Sequence, residues 1–260
     1  MTDKVENLIK YIRSSFNMGI DADAKQYSDN SLLKLMYKSP IYVYVAPIVI
    51  PELKNKTDEY KQLVRKALDI YSAALLDKIK FEIVDYGHNF DFEINWSKTN
   101  RQYTGMCYAP LDWYPKQSMV IGIADKDNTP IIKENVYHVI LHELGHALGL
   151  GHSPNDNDVM SCCGDYVTNL SPNDIFVLQL IYSIGDKRTF FEEEEYIYKC
   201  INEYITESNK KEKKPRQENK SLTTLPINKE SLWDKLDNIS DVKKYRILLQ
   251  DIKLAIPQTK

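Results

Sequence analysis

The spacing richest in chemistry belongs to His142, Glu143, His146, Gly149 and His152, within the run HELGHALGLGH. The pattern is H-E-x-x-H-x-x-G-x-x-H. Two histidines four apart on a helix project from one face, one turn above the other. Their neutral imidazole nitrogens suit zinc at about 2.0–2.1 Å. Glu143 follows the first histidine and can face an open coordination position, where a carboxylate can take a proton from water and return it. Gly149 can end the helix in a left-handed conformation, which costs little only for glycine. The chain then swings back and His152 supplies a third nitrogen. Three protein ligands with a fourth position open suit a catalytic zinc, whereas a structural site closes all four. The expectation is one catalytic zinc on His142, His146 and His152, with Glu143 as general base.

Elements able to position these residues are visible on both sides. Leu8, Ile9, Ile12 and Phe16 recur at helical spacing. A β-branched and aromatic run over 41–50 predicts a strand. A continuous apolar stripe predicts a helix over 58–78, with Thr57 as its N-cap and Asp58 and Glu59 in the first turn. Short strands are predicted at 80–84, 91–96, 103–109 and 119–124. The histidine helix is predicted over 131–148, with Pro130 suiting its start. A further helix begins at Ser171, with Pro172 in its first turn and Asp174 three residues after the cap. Helical patterning returns at 190–205. Residues 208–220 are charged and poor in apolar side chains, and 231–256 are amphipathic.

Composition limits the alternatives. The chain has 260 residues, with Lys+Arg 34 against Asp+Glu 37, a formal net charge of −3. Hydrophobic residues at 43% and charged residues at 27% describe a globular chain able to bury a core without disulfides. A charge so near zero gives no electrostatic argument for nucleic acid as a partner. The longest apolar run, 41–51, falls far short of the ~20 residues of a spanning helix, so no membrane span is expected. No leader-like segment stands at the N-terminus, and the expected location is cytoplasmic or reached by non-classical export. Four cysteines do not make a disulfide framework. Cys107 could bridge to Cys162 or Cys163 in an oxidising compartment; free thiols are the default reading.

The histidine motif resembles that of the metzincin zinc endopeptidases, in which a methionine turn follows. Asp158-Val159-Met160-Ser161 looks like that turn, with Met160 as an apolar floor beneath the histidines. Within the clan the chain is most similar to the matrixins: Ser153 follows His152, and Leu170-Ser171-Pro172-Asn173-Asp174-Ile175 resembles the segment opening the last catalytic helix. The resemblance covers about 39–185. It implies an α+β, metzincin-like zincin fold: a twisted, mostly parallel five-stranded sheet with an antiparallel edge strand, an active-site helix and a C-terminal helix. It also implies that Asp174 ties the last helix to the methionine turn. The implied activity is a zinc-dependent endopeptidase acting on a protein or peptide substrate laid along the 103–109 strand.

There are departures from the family. No cysteine precedes Cys107, so the thiol switch of matrixin propeptides is not expected, and with only His88 and His138 left over no second zinc is expected. Calcium is left open. Cys162 stands where some metzincins place a tyrosine. The expected division is 1–38, an N-terminal helical extension; 39–185, a matrixin-like catalytic domain; 186–207, a helix; 208–230, a charged linker; and 231–256, an amphipathic C-terminal helical segment. That last segment could pack back in cis, self-associate or hold a partner. Tyr166 could wall the substrate side-chain pocket or simply pack. His138 is read as a partly exposed helix residue, His88 as a surface residue and Lys210–Arg216 as solvated linker. The alternative reading is a catalytically weak, zinc-containing peptide-binding or scaffold protein.

Overall fold

The computed structural model describes residues 3–16, 39–99, 104–108, 116–162, 166–184 and 188–212. A five-stranded sheet carries the architecture. Its strands are β1 (Ile41–Val45), β2 (Phe81–Val84), β3 (Phe92–Lys98), β4 (Gly105–Tyr108) and β5 (Gln117–Ala124), in the spatial order β2-β1-β3-β5-β4. All pairings are parallel except β4 against β5, which is antiparallel and places β4 at the edge. This is the expected α+β arrangement. Alternation decides which face is buried: Ile41, Val43 and Val45 of β1, Phe92, Ile94 and Trp96 of β3, and Met119, Ile121 and Ile123 of β5 all point into the core. Strand β1 stops at Val45, short of the expected Ile50, because Pro47 has no N–H to continue the ladder.

Helices α2 (Thr57–Ala74) and α3 (Lys133–Ala147) cover the buried face of the sheet, and α3 runs beside β4 and β5. Thr57 lies inside α2 and does not cap it, since a 3₁₀ turn over Lys54–Lys56 leads directly into the helix. Its hydroxyl donates to the Lys54 carbonyl and accepts the Ile48 N–H, both at 3.1 Å. Helix α2 ends at Ala74, before the expected 78, as Leu76 and Asp77 both turn to φ +57°.

Three more helices pack around the other end. Helix α4 (Pro172–Ser183) starts with a complete capping box: the Ser171 hydroxyl accepts the Asp174 N–H, and the Asp174 carboxylate accepts the Ser171 N–H. Helix α1 (Asp3–Phe16) and helix α5 (Glu194–Glu212) both lie against α4. The expected apolar face of α1 is buried, joined by Tyr11 and Ser15. Phe16 meets Phe190 edge to face at 5.7 Å. Helix α5 buries Ile197, Cys200, Ile201 and Tyr204, with the Tyr204 ring stacked on Phe176 at 4.3 Å. It continues to Glu212, past the expected linker start at Ser208. Its last turns are held by the Ser208 hydroxyl on the Tyr204 carbonyl and by a Lys210–Glu207 pair one turn apart. The rest of the expected linker and the 231–256 segment lie outside the described residues. Among the described residues, no helix is long and apolar enough to cross a membrane.

Candidate metal centre

Helix α3 is buried nearly all round. Val136, Tyr137, Ile140, Leu141 and Leu144 enter the core, while His142 and His146 open onto a cleft. The helix ends in a Schellman turn: the Leu150 N–H reaches the Gly145 carbonyl and the Gly149 N–H reaches the His146 carbonyl, both at 2.9 Å. Gly149 has φ +97°, as the turn requires. Three residues after Gly149, His152 comes back to face the first two histidines. One side-chain nitrogen from each lies within 4.8 Å of the others.

The proton on each of two rings is fixed by its neighbour. His142 Nδ1 lies 2.9 Å from the Val159 carbonyl, and His146 Nδ1 lies 2.8 Å from the Leu150 carbonyl. A carbonyl only accepts, so both Nδ1 atoms carry the proton and both Nε2 atoms present lone pairs. Those two Nε2 atoms stand 3.1 Å apart. Opposed lone pairs at that distance repel unless a cation lies between them. Two ligands on tetrahedral zinc stand roughly 3.3 Å apart, so the donor set fits zinc. Burial, with His146 adding, pushes His142 down to about 3. Burial, with His152 adding, pushes His146 to about 4, and burial lowers His152 as well. All three are neutral at physiological pH, the form a metal needs.

Glu143 faces the same cleft and is only 6% exposed. Burial lifts its carboxyl to about 8, opposed by the Cys107 backbone N–H, which donates to it from β4. Gly105 makes that approach possible. A Cβ there would meet Glu143 Oε1 at 2.8 Å and crowd Val139. The sequence reading passed over Gly105, although an isolated glycine in a strand signals close backbone approach.

Beneath the histidines Met160 is fully buried. A Cβ on Gly145 would strike its sulfur and meet the Tyr71 hydroxyl at 2.8 Å. The turn around Met160 is tied down twice: Ser153 donates its N–H to the Met160 carbonyl, and Asp174 Oδ2 accepts the Val159 N–H, both at 2.9 Å. Asp174 therefore links α4 to this turn, as the resemblance implied. It also accepts the Tyr11 hydroxyl at 2.8 Å.

The cleft has a volume of about 510 Å³ between β4, α3 and the segment after Met160. Tyr166 lines it, 53% exposed, its ring T-shaped against His138 with the two centroids 5.2 Å apart. His138 is not the partly exposed residue expected. It is buried at 8%, donates Nδ1–H to the Val167 carbonyl at 2.8 Å and lines the cleft; burial lowers its pKa. His88 is exposed. Cys107 and Cys162 both line the cleft wall, and Cys163 lies outside the described residues. Burial and the neighbouring Glu143 push the Cys107 thiol up to about 12, so it stays protonated.

No curated protein matches the chain. Among solved structures, one described as the GM1 bound form of the ECX AB5 holotoxin aligns over 60% of this chain and 84% of its own, with 15% sequence identity and a TM-score of 0.39. The matrixin family model matches residues 48–183, which hold the three converging histidines and the turn beneath them. That span is more than half of the sequence, and the chain belongs to the matrixin family.

Proposed function

We propose that the protein is a zinc-dependent endopeptidase. The observation that carries this reading is the convergence of three neutral imidazoles beside a buried carboxyl, in a cleft bordered by the edge strand β4. His142, His146 and His152 would hold the zinc. Bound there, it supplies Lewis acidity toward the scissile carbonyl and toward the attacking water.

The remaining work falls to residues of the chain. An extended peptide pairs with β4 through main-chain hydrogen bonds, which brings its backbone past Glu143. Glu143 accepts a proton as the water oxygen attacks the carbonyl carbon. It then returns that proton to the amide nitrogen as the C–N bond breaks. The Cys107 N–H favours the ionised form that receives the proton, against the burial that favours the acid which gives it back. Tyr166 and His138 line the cleft in contact with each other, where they would wall the pocket for a substrate side chain.

Incubation with a denatured protein, with and without a chelator, tests the proposal. The expected outcome is peptide-bond cleavage, mapped by mass spectrometry, that the chelator abolishes. Glu143→Gln is expected to keep its zinc and lose at least about 100-fold in activity, the usual worth of a general base. Wild-type turnover in that variant would overturn the mechanism. Stable binding of the substrate without cleavage would favour the scaffold alternative.

A further inference from the structure

The loop that carries His152 takes its shape from a helix far away in sequence. The Ser14 hydroxyl of α1 accepts the backbone N–H of His152 at 2.9 Å. The Ser15 hydroxyl accepts the N–H of Gly151 at 3.0 Å while donating to the Tyr11 carbonyl of its own helix at 3.1 Å. Gly151 lies so close that a Cβ there would collide with the Ser14 backbone. The two peptide groups that set the direction of the third histidine are thus docked on two adjacent hydroxyls. One turn earlier in α1, Tyr11 donates to Asp174, whose other oxygen holds the Val159 N–H. The Val159 carbonyl in turn orients His142. Helix α1 therefore touches the supports of the first and third histidines at once.

We infer that Ser14 and Ser15 are positioning residues for the metal centre: helix α1 completes the site by fixing the backbone of the His152 loop. The inference rests on the zinc reading above. His152 stands on a loop and lacks the helical support of His142 and His146, so its direction depends on what its peptide groups bind. With both hydroxyls removed, the Gly151 N–H is left buried beside apolar atoms and the loop is free to rotate. Partners outside the ligand set typically change metal affinity 10- to 100-fold when lost.

The full-length protein provides the test, read by zinc affinity in competition with a chromophoric chelator and by the visible spectrum of the cobalt-substituted form. Ser14→Ala/Ser15→Ala is expected to bind zinc about 10- to 100-fold more weakly and to shift the cobalt bands. Ser14→Thr, which keeps a hydroxyl, and Ile12→Val, which weakens the packing of α1 without touching the loop, are expected to keep wild-type affinity and spectrum. Wild-type affinity and bands in the double alanine variant would overturn the inference. So would an equal loss of affinity in Ile12→Val, since α1 would then act through global stability alone. If the double variant does not fold, Ser14→Ala decides: a shifted cobalt spectrum supports positioning and an unchanged one removes it. A wild-type protein that binds zinc in this α1-dependent way but cleaves nothing keeps the inference and loses the protease reading. A wild-type protein that binds no zinc loses both.

Discussion

Burial lifts the Glu143 carboxyl to about 8, whereas in an unfolded chain it titrates near 4.5. A carboxyl whose folded pKa is raised gives stability that is fully present below the unfolded value and is lost as pH rises through the folded one. The metal-free protein should therefore lose stability from this group between pH 4.5 and 8, at about 1.4 kcal/mol per pKa unit. Its histidines act in the opposite sense. Their folded pKa values are depressed, so their contribution is present above the unfolded pKa and is lost as pH falls toward 4 and 3. The comparison with Glu143→Gln isolates the carboxyl, because the histidines are common to both proteins and glutamine does not titrate. With the metal removed, the melting temperature of Glu143→Gln minus that of wild type is expected to grow by ~5 °C or more from pH 4.5 to pH 8. A flat difference across that range would show that the carboxyl is not desolvated.

Asp174 joins three elements through one carboxylate, with α4 at its N-cap, the Met160 turn at Val159 and α1 at Tyr11. Asp174→Ala leaves three donors without an acceptor. The expected loss is about 3 kcal/mol or more in urea denaturation, with weaker zinc binding because Val159 orients His142. A loss below about 1 kcal/mol would mean that water replaces the carboxylate. Part of this arrangement is legible in the sequence. The capping box is local, so Ser171 and Asp174 are readable from their three-residue spacing. His142, His146, Gly149 and His152 are readable because one helix and one turn convert their sequence spacing directly into geometry. What fails to show is long-range. The stripe on α1 says that the helix is packed, but Ser14 and Ser15 bond to peptide groups 138 and 136 residues away, and two hydroxyls on a helix carry no signal of that. Gly105 and Glu143 meet only because the sheet brings β4 against α3. His138 reads as partly exposed because its burial depends on Tyr166 and Val167, and Val167 is 29 residues away in the sequence.

The family match over residues 48–183 and the folding unit of the whole molecule have different limits. Strand β1 lies outside the match, yet it sits between β2 and β3 and bonds to both. Ile41, Val43 and Val45 are at most 5% exposed, so removing them takes an interior strand out of the sheet and cuts β2 off from β3. Helix α5 is also outside the match. It buries Ile197, Cys200 and Ile201 completely, and its Tyr204 covers Phe176 and bonds Asn173 at the start of α4. Fully burying one such apolar side chain is worth about 1.5–3 kcal/mol, against a total stability of about 5–15 kcal/mol for a typical protein. Losing either element is therefore enough to consume the margin. A chain of residues 1–212 is expected to unfold in a single cooperative transition and to bind zinc with the affinity of the full protein. A chain limited to 48–183 is expected to show no cooperative melt and no tight zinc site, and one starting at Ser39, which lacks the buried Leu8, Ile9, Tyr11, Ile12 and Phe16, to be destabilised by a comparable margin and to bind zinc less tightly. Calorimetry with elemental analysis of the three proteins checks this. A cooperative transition in 48–183 at the temperature of the full chain would mean that β1 and α5 are accessories, and that the core closes without them.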